Sequence, residues 1–306
     1  MKKDLLSIAD LERKEVEDVI EKARRMKRKA PMPVLSGKNL ALLFEKPSLR
    51  TRVSFEMAMY QLGGHSIYLS PEEVGVGKRE AVADVARVLS RYVDVVAGRT
   101  FSQETLRTLA GHSSVPVINA LSDLEHPCQA LADLLTVYEK KGELPGLTLA
   151  YIGDGNNVAN SLFLGACLVG MNFRFASPPG YEIKKGVLSK GRKFAALSGS
   201  QIQVTNDPHK AAKGADVVYT DVWVSMGQEA EVKKRRRAFS GYQVDDKLLN
   251  LAKKDVLFMH PLPAHHGDEL SVGLLDDPRS VVFDQAENRL HLQKALLVRL
   301  LSNAKV

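Results

Sequence analysis

Asn39-Leu40-Ala41-Leu42-Leu43-Phe44 followed by Glu45-Lys46-Pro47-Ser48-Leu49-Arg50-Thr51-Arg52 is the stretch on which the reading of the fold turns. An unbroken apolar run with no polar alternation reads as a strand buried on both faces. Pro47 and Ser48 then interrupt it, and a helix is predicted to about Leu62. A buried strand leading directly into a helix is half of a parallel crossover unit. The same pattern recurs along the chain. Further strands are predicted at 66–69, 93–97 and 115–118, with helices at 80–91, 103–112 and 127–140. Gly142-Glu143-Leu144-Pro145-Gly146 is a turn-rich break. Beyond it the alternation restarts, with strands at 147–152, 173–176, 202–204, 216–219, 256–259 and 281–283 and a last helix at 285–302. Upstream, Val16, Val19, Ile20, Ala23 and Met26 fall at helical spacing, with Ser7 as candidate cap and Pro31 and Pro33 beyond the end. The predicted class is therefore α/β, with two doubly wound parallel-sheet domains joined by two interdomain helices. Residues 1–140 form the first domain, with the C-terminal helix 285–306 packing back on it. Residues 141–284 form the second.

Composition agrees with this. A chain of 306 residues is long enough for about two domains. With 44% hydrophobic and 26% charged residues, 22 Gly and 13 Pro, neither a disordered nor a collagen-like chain is supported. No apolar run approaches the ~18 residues of a membrane span. The amino-terminus lacks the apolar stretch of a secretory signal, and Asp4, Asp10, Glu12 and Glu15 are out of place in a transit peptide. A soluble, cytoplasmic protein with no membrane partner is expected. The two cysteines, Cys128 and Cys167, are too few for a disulfide scaffold or a cysteine zinc site. A formal net charge of +7 attracts anions without saying which.

In open α/β sheets, ligands gather at the carboxyl ends of strands. After the first strand, Ser48, Arg50 and Thr51 stand where a helix begins. Free N–H groups there and the helix dipole favour an anion, and arginine can fork onto phosphate oxygens. The plainer alternative is a serine cap with solvated arginines. Arg99 follows the third strand, His126-Pro127-Cys128-Gln129 the fourth, and Asp284-Gln285-Ala286-Glu287-Asn288-Arg289 lies near the end. Each alone reads more simply as structural: His126 as a helix cap or a satisfied buried histidine, Arg99 and Arg289 as surface ion pairs.

Together they carry a resemblance. Ser48-x-Arg50-Thr51-Arg52 resembles the first signature of the aspartate/ornithine carbamoyltransferase superfamily, and His126-Pro127-x-Gln129 the second. Asp221-Val222-Trp223-Val224-Ser225-Met226-Gly227 resembles the amino-acid-binding segment of the ornithine branch. His260-Pro261-Leu262-Pro263 is similar to its His-Cys-Leu-Pro motif, with Pro261 replacing the cysteine. The resemblance implies transfer of a carbamoyl group from carbamoyl phosphate to the δ-amine of ornithine, with no cofactor and no metal. It implies that Ser48, the Leu49 N–H, Arg50 and Thr51 hold the phosphate, and that Arg99 bridges phosphate and carbonyl oxygen. His126 would donate to that carbonyl. Gln129 and the Leu262 carbonyl would hold the carbamoyl NH2 beside Pro261, and Arg289 would complete the cationic lining. Arg50, Arg99, His126, Asp221 and Arg289 are the implied catalytic set. Asn157, Asp221, Ser225 and Met226 are the implied ornithine contacts. Arg52 reads as structural. The family forms trimers, so a homotrimer or a multiple of one is implied, with Glu72–Arg79 as a candidate neighbour contact. Gly75 stands there where some relatives have glutamine, and Lys78 and Arg79 could substitute electrostatically.

Pro261 raises the question of the acceptor, because a thiol near the amine is missing. Aspartate, putrescine and N-acetylornithine remain alternatives, though a second carboxylate would call for a cation that Ser225-Met226-Gly227 does not supply. His265 and His266 stay without an assigned role. Two other classes compete. Gly153-Asp154-Gly155-Asn156-Asn157-Val158 begins like a dinucleotide fingerprint but lacks its third glycine and a ribose-binding acid. Lys233-Lys234-Arg235-Arg236-Arg237 could bind nucleic acid, or form a solvated face on a loop beyond the Ser-Met-Gly segment. No nucleic-acid partner is expected, since no recognised nucleic-acid fold accompanies the run.

Overall fold

The computed structural model describes residues 4–30, 32–75, 79–225 and 229–302. The chain divides into two compact units, Met1–Leu135 with Glu287–Val306, and Thr136–Ala286. In the first, α1 (Arg13–Lys27) precedes β1 (Asn39–Phe44), α2 (Leu49–Gln61), β2 (His65–Leu69), α3 (Pro71–Val74), α4 (Val82–Leu89), β3 (Val95–Arg99), α5 (Gln103–His112) and β4 (Val117–Leu121). The strands are all parallel, in the order β2-β1-β3-β4. The chain passes into the second unit within α6 (Pro127–Lys141).

The second unit continues with β5 (Thr148–Ile152), α7 (Asn157–Val169), β6 (Asn172–Ala176), α8 (Lys185–Ser198), β7 (Ile202–Thr205), α9 (Pro208–Ala212), β8 (Val217–Tyr219), α10 (Val232–Ala238), α11 (Asp246–Leu249) and β9 (Leu257–Met259). Its parallel sheet has the order β7-β6-β5-β8-β9. The chain returns to the first unit within α12 (Val282–Leu301).

Strand order fixes where a ligand can be held. In the first sheet the chain runs outward from β1 to β2, then crosses to the other side of β1 for β3 and β4. In the second it runs outward from β5 through β6 to β7, then crosses back for β8 and β9. Each sheet thus has one switch point, β1/β3 and β5/β8, where the following loops diverge and leave a crevice. Ser48–Thr51 and Arg99 follow the first pair. Asn156 and Asp221 follow the second.

The two-domain α/β expectation holds, and most predicted elements are present. Three local readings differ. Residues 281–283 are not a strand: Phe258 makes only an isolated bridge to Ser280, and Val282 already opens α12. The Val-Val-Phe run imitates a strand, but its apolar positions continue at helical spacing. Ser7 caps a 3-10 turn at Ile8–Asp10, whereas α1 starts on its own Glu12/Glu15 capping box. The basic run 233–237 lies in a helix, α10, not a loop.

The second core is close-packed where α7 and α8 meet. A Cβ on Gly191 of α8 would lie 2.1 Å from the Phe163 ring, which is itself buried edge-to-face against Phe173 at 5.2 Å. On the same helix, a Cβ on Gly186 meets nothing within 4 Å. Gly191→Ala is therefore expected to destabilise by ~1–3 kcal/mol through overpacking. Gly186→Ala should be neutral or stabilise by up to ~1 kcal/mol. Urea unfolding of the two variants checks the contrast.

Candidate active site

In the first unit the sequence motifs converge on one cationic cluster. Ser48 caps α2, accepting the Thr51 N–H at 3.4 Å, a long and therefore weak bond. This leaves Leu49 76% exposed and Arg50 exposed in the first turn. Thr51, on the inner side, is buried, and its Oγ1 accepts from Arg289 Nη2 at 3.1 Å. Arg289 Nη1 donates to Gln129 Oε1 at 2.6 Å, and Gln129 Nε2 donates to Asp133 Oδ1 at 2.7 Å. One chain of bonds thus links α12, α2 and α6. Arg52 points elsewhere: it pairs with Glu56 at 2.9 Å and covers the Tyr68 ring at 4.0 Å.

Arg99 ends β3 and is 8% exposed, and its Nε has no hydrogen-bond partner among the described residues. Burial first, then the charges of Arg289 and Arg50, push its guanidinium down to about 10. It stays cationic at neutral pH. His126, 5% exposed, is held well below its ordinary value by burial and then by Arg289 and Arg99. It is neutral at pH 7 and can donate one hydrogen bond without adding charge. Arg99 and Arg289 beside a neutral imidazole, with Arg50 acting on Arg99, repel one another, and such an arrangement marks a place for an anion. Beside them the Cys128 thiol is buried and pushed up to about 12, so it is no nucleophile.

In the second unit the centre is Asp221, after β8. Burial pushes its carboxyl up; His260, Asn156 and the Val222 N–H counteract part of this, while Glu269 adds to it. Asn156 Nδ2 donates to Asp221 Oδ2 at 2.7 Å, and the Val222 N–H donates to Oδ1 at 2.8 Å. Asn156 also caps α7, its Oδ1 accepting from the Val158 and Ala159 N–H groups at 3.0 Å each. Asn157, singled out from sequence, is the first residue of α7 and half-buried. Ser225 is half-buried, and Met226 lies outside the described residues, as does Lys78.

His260 is fully buried. Its N–H donates to Gln285 Oε1 at 2.9 Å, and its Nδ1 accepts from the Leu262 N–H at 2.9 Å. The ring proton therefore sits on Nε2, which faces Glu269 Oε1 at 3.1 Å. Burial raises the Glu269 carboxyl, but hydrogen bonds from His260 and the His265 N–H outweigh it and leave the group below its ordinary value. Leu262 has φ +54°, a left-handed conformation uncommon for leucine, and the bond to His260 fixes it. Pro261 is half-buried; the His265 and His266 side chains are exposed.

Sequence reasoning missed Asn156, Asp133, Glu269 and Gln285. Asn156 was legible, because an asparagine directly before a helix is a preferred cap. Asp133 was legible too, one helical turn after Gln129 on α6; Glu269 and Gln285 carry no local signal, since their partners lie across a loop or far along the chain.

Local geometry bears on the two rival readings. A Cβ on Gly155 would lie 2.4 Å from the Glu182 carbonyl, and the Gly155 N–H already donates to Tyr181 O at 2.9 Å. The chain itself fills that turn, and Asn156 occupies the first-turn N–H groups that a pyrophosphate would need. The basic run does not form one solvated face. Arg235 is buried and pairs with Asp154 at 2.8 Å, and Arg236 pairs with Asp268 at 2.9 Å. No helix among the described residues is long and apolar enough to cross a membrane.

Residues 3–139 match the family pattern described as aspartate/ornithine carbamoyltransferase, carbamoyl-P binding domain, and residues 145–300 match its Asp/Orn binding domain. The chain belongs to the aspartate/ornithine carbamoyltransferase family. Within it, the ornithine carbamoyltransferase of Anoxybacillus flavithermus is 54% identical over 303 residues, covering 98% of this chain and 96% of that one. The structure of ornithine carbamoyltransferase from Pyrococcus furiosus superposes with a TM-score of 0.96 at 48% identity, covering 99% and 98% of the two chains. An acetylornithine transcarbamylase complexed with acetylcitrulline also matches, with a TM-score of 0.90 at 32% identity, covering 98% and 100%. The fold alone therefore does not choose the acceptor.

Because His126 is depressed in the folded state, the unfolded chain binds a proton near pH 6.5 that the folded chain refuses. Stability contributed by the neutral ring is present above that pH and is lost as pH falls below it, by up to ~1.4 kcal/mol per unit. In His126→Gln the loss of stability between pH 6.5 and 5 should be shallower by up to that amount. Urea midpoints at several pH values, compared between the two proteins, read the difference.

Proposed function

We propose that the protein transfers the carbamoyl group of carbamoyl phosphate to the δ-amine of L-ornithine, giving L-citrulline and phosphate. The observation that carries the reading is the buried cluster of Arg99, His126 and Arg289 beside Thr51 and Arg50. Ser48, the Leu49 N–H, Arg50 and Thr51 take the phosphate oxygens at the start of α2. Arg99, the neutral His126 and Thr51 face the carbonyl oxygen. Gln129 holds the carbamoyl NH2. In this reading residues 1–140 with 285–306 bind carbamoyl phosphate, and 141–284 bind ornithine through Asn157, Asp221, Ser225 and Met226.

The chemistry follows from these assignments. The free amine attacks the carbonyl carbon, a C–N bond forms, and negative charge builds on the carbonyl oxygen. Fixed donors stabilise that charge without reorganising. The C–O bond to phosphate then breaks, and phosphate departs as an anion among guanidinium groups, taking up the proton the amine gives up. Holding both substrates together removes a large entropic barrier. An ammonium near 10.4 must first lose a proton. Pro261 offers no thiol for this, so Asp221, with its carboxyl raised by burial, or water takes this first proton, and the departing phosphate the one released on attack.

We place the protein in the cytoplasm, in keeping with two free, buried thiols, and assign it a homotrimer. Leu49, Val53, Met57 and Tyr60 form an exposed apolar stripe along α2 at spacings of four, four and three, next to exposed Ile67 on the edge strand β2. A stripe of this kind on one face supports self-association.

Carbamoyl phosphate supplied in parallel with ornithine, aspartate, putrescine or N-acetylornithine should yield citrulline far faster than any other product. Preference for another amine would overturn the acceptor and leave the phosphate assignment standing. Arg50→Ala should cost about 10- to 100-fold in kcat/KM for carbamoyl phosphate, the range of a lost charge-assisted bond. Near-normal turnover would sink its phosphate role. Tyr60→Asp should shift sedimentation toward the monomer.

A further inference from the structure

The amino-terminal segment before α1 is sewn into the first unit more tightly than a leading strand needs to be. Leu5 pairs in parallel with Ile118 of β4, its N–H donating to Val117 O at 2.9 Å and its carbonyl accepting from Asn119 N at 2.8 Å. The Leu6 carbonyl accepts from Gln103 Nε2 at 3.0 Å and Asn119 Nδ2 at 2.9 Å. Ser7 Oγ donates to Glu125 Oε1, and the Ile8 N–H donates to Glu125 Oε2 at 3.0 Å. Glu125 is 2% exposed, so both its carboxylate oxygens reach the amino-terminal segment from the interior.

Glu125 stands directly before His126. Its backbone is pinned as well: its N–H donates to Ser122 Oγ at 3.1 Å and its carbonyl accepts from the Ser122 N–H at 2.9 Å. Ser122 in turn donates to Gln103 Oε1 at 2.5 Å. On the other side, Pro127 restricts His126 to extended backbone, and the His126 carbonyl accepts the first bonds of α6 from Gln129 and Ala130. The His126 backbone is therefore held from both sides, by Glu125 before it and by the start of α6 after it.

We propose that the strap Asp4–Asp10 is a positioning element of the carbamoyl site, clamped through Ser7 and Ile8 onto Glu125 so that His126 faces the carbonyl oxygen. Glu125 touches no substrate; it is a positioning residue acting through His126. The inference rests on the function proposed above, in which His126 serves the carbonyl and the Ser48–Thr51 turn serves the phosphate. It therefore separates two affinities. Loosening the clamp should weaken handling of the carbamoyl group and spare inorganic phosphate.

The test compares Glu125→Ala, Glu125→Gln and Ser7→Ala at a temperature where circular dichroism shows each folded. Glu125→Ala should lower kcat/KM for carbamoyl phosphate about 10- to 100-fold, while the Kd for inorganic phosphate stays within about twofold. Glu125→Gln, whose amide can accept from Ile8 and donate to Ser7, should stay within about threefold of the parent. In a His126→Asn background, Glu125→Ala should add no further loss, since both changes remove one contribution. Unchanged kcat/KM in Glu125→Ala, an equal loss of phosphate affinity, or full additivity with His126→Asn would each overturn the proposal. If Glu125→Ala does not fold, Ser7→Ala decides, with a loss of about 3- to 10-fold expected and parent kinetics overturning it. Should the parent transfer no carbamoyl group at all, the functional reading fails. The strap is then judged by the His126 imidazole nitrogen resonances, which must move in Ser7→Ala and not in Glu125→Gln.

Discussion

The guanidinium of Arg289 is the contact on which the rest of the first unit's chemistry depends. One of its nitrogens donates to Gln129 and another to Thr51. It ties α12 to α2 and α6 at the place where the motifs gather. Its charge also sets the state of its neighbours. It is among the causes that hold His126 neutral and Arg99 below its ordinary value. A buried cation is costly to hold, and the cost is sensible where an anionic substrate is to be received.

The second unit follows a different logic. Its centre is a buried carboxylate, Asp221, steadied by neutral donors from Asn156 and Val222. Such a group suits an ammonium or a proton arriving from outside. Beneath it, Phe175, Tyr151 and Tyr219 stack across three neighbouring strands at 5.7 and 5.4 Å. Opposite charge preferences in the two units suit two substrates of opposite sign.

Much of this was legible in the sequence, because strand-then-helix periodicity and polar residues after strands are local signals. The runs at 39–44 and 147–152 announced central strands, and Ser48–Arg52 announced a helix start rich in anion-binding groups. What was not legible is long-range. Glu269 meets His260 across a loop with no spacing to betray it, and Arg235, in a run that reads as solvated, is buried against Asp154, 81 residues earlier. The misread strand at 281–283 has the same origin. Three β-prone residues favour a strand locally, and only the surrounding helix overrides that preference.

Arg289 lies 160 residues beyond Gln129 and 238 beyond Thr51. During synthesis the first 135 residues therefore emerge, and can form their sheet, long before the helix that supplies this arginine exists. A nascent or truncated chain ending anywhere in the second unit holds the Ser48–Thr51 turn, Arg99 and His126, yet lacks the residue that binds α2 to α6. Non-local contacts of this separation form late, so the anion site cannot be completed until the ribosome has passed residue 289.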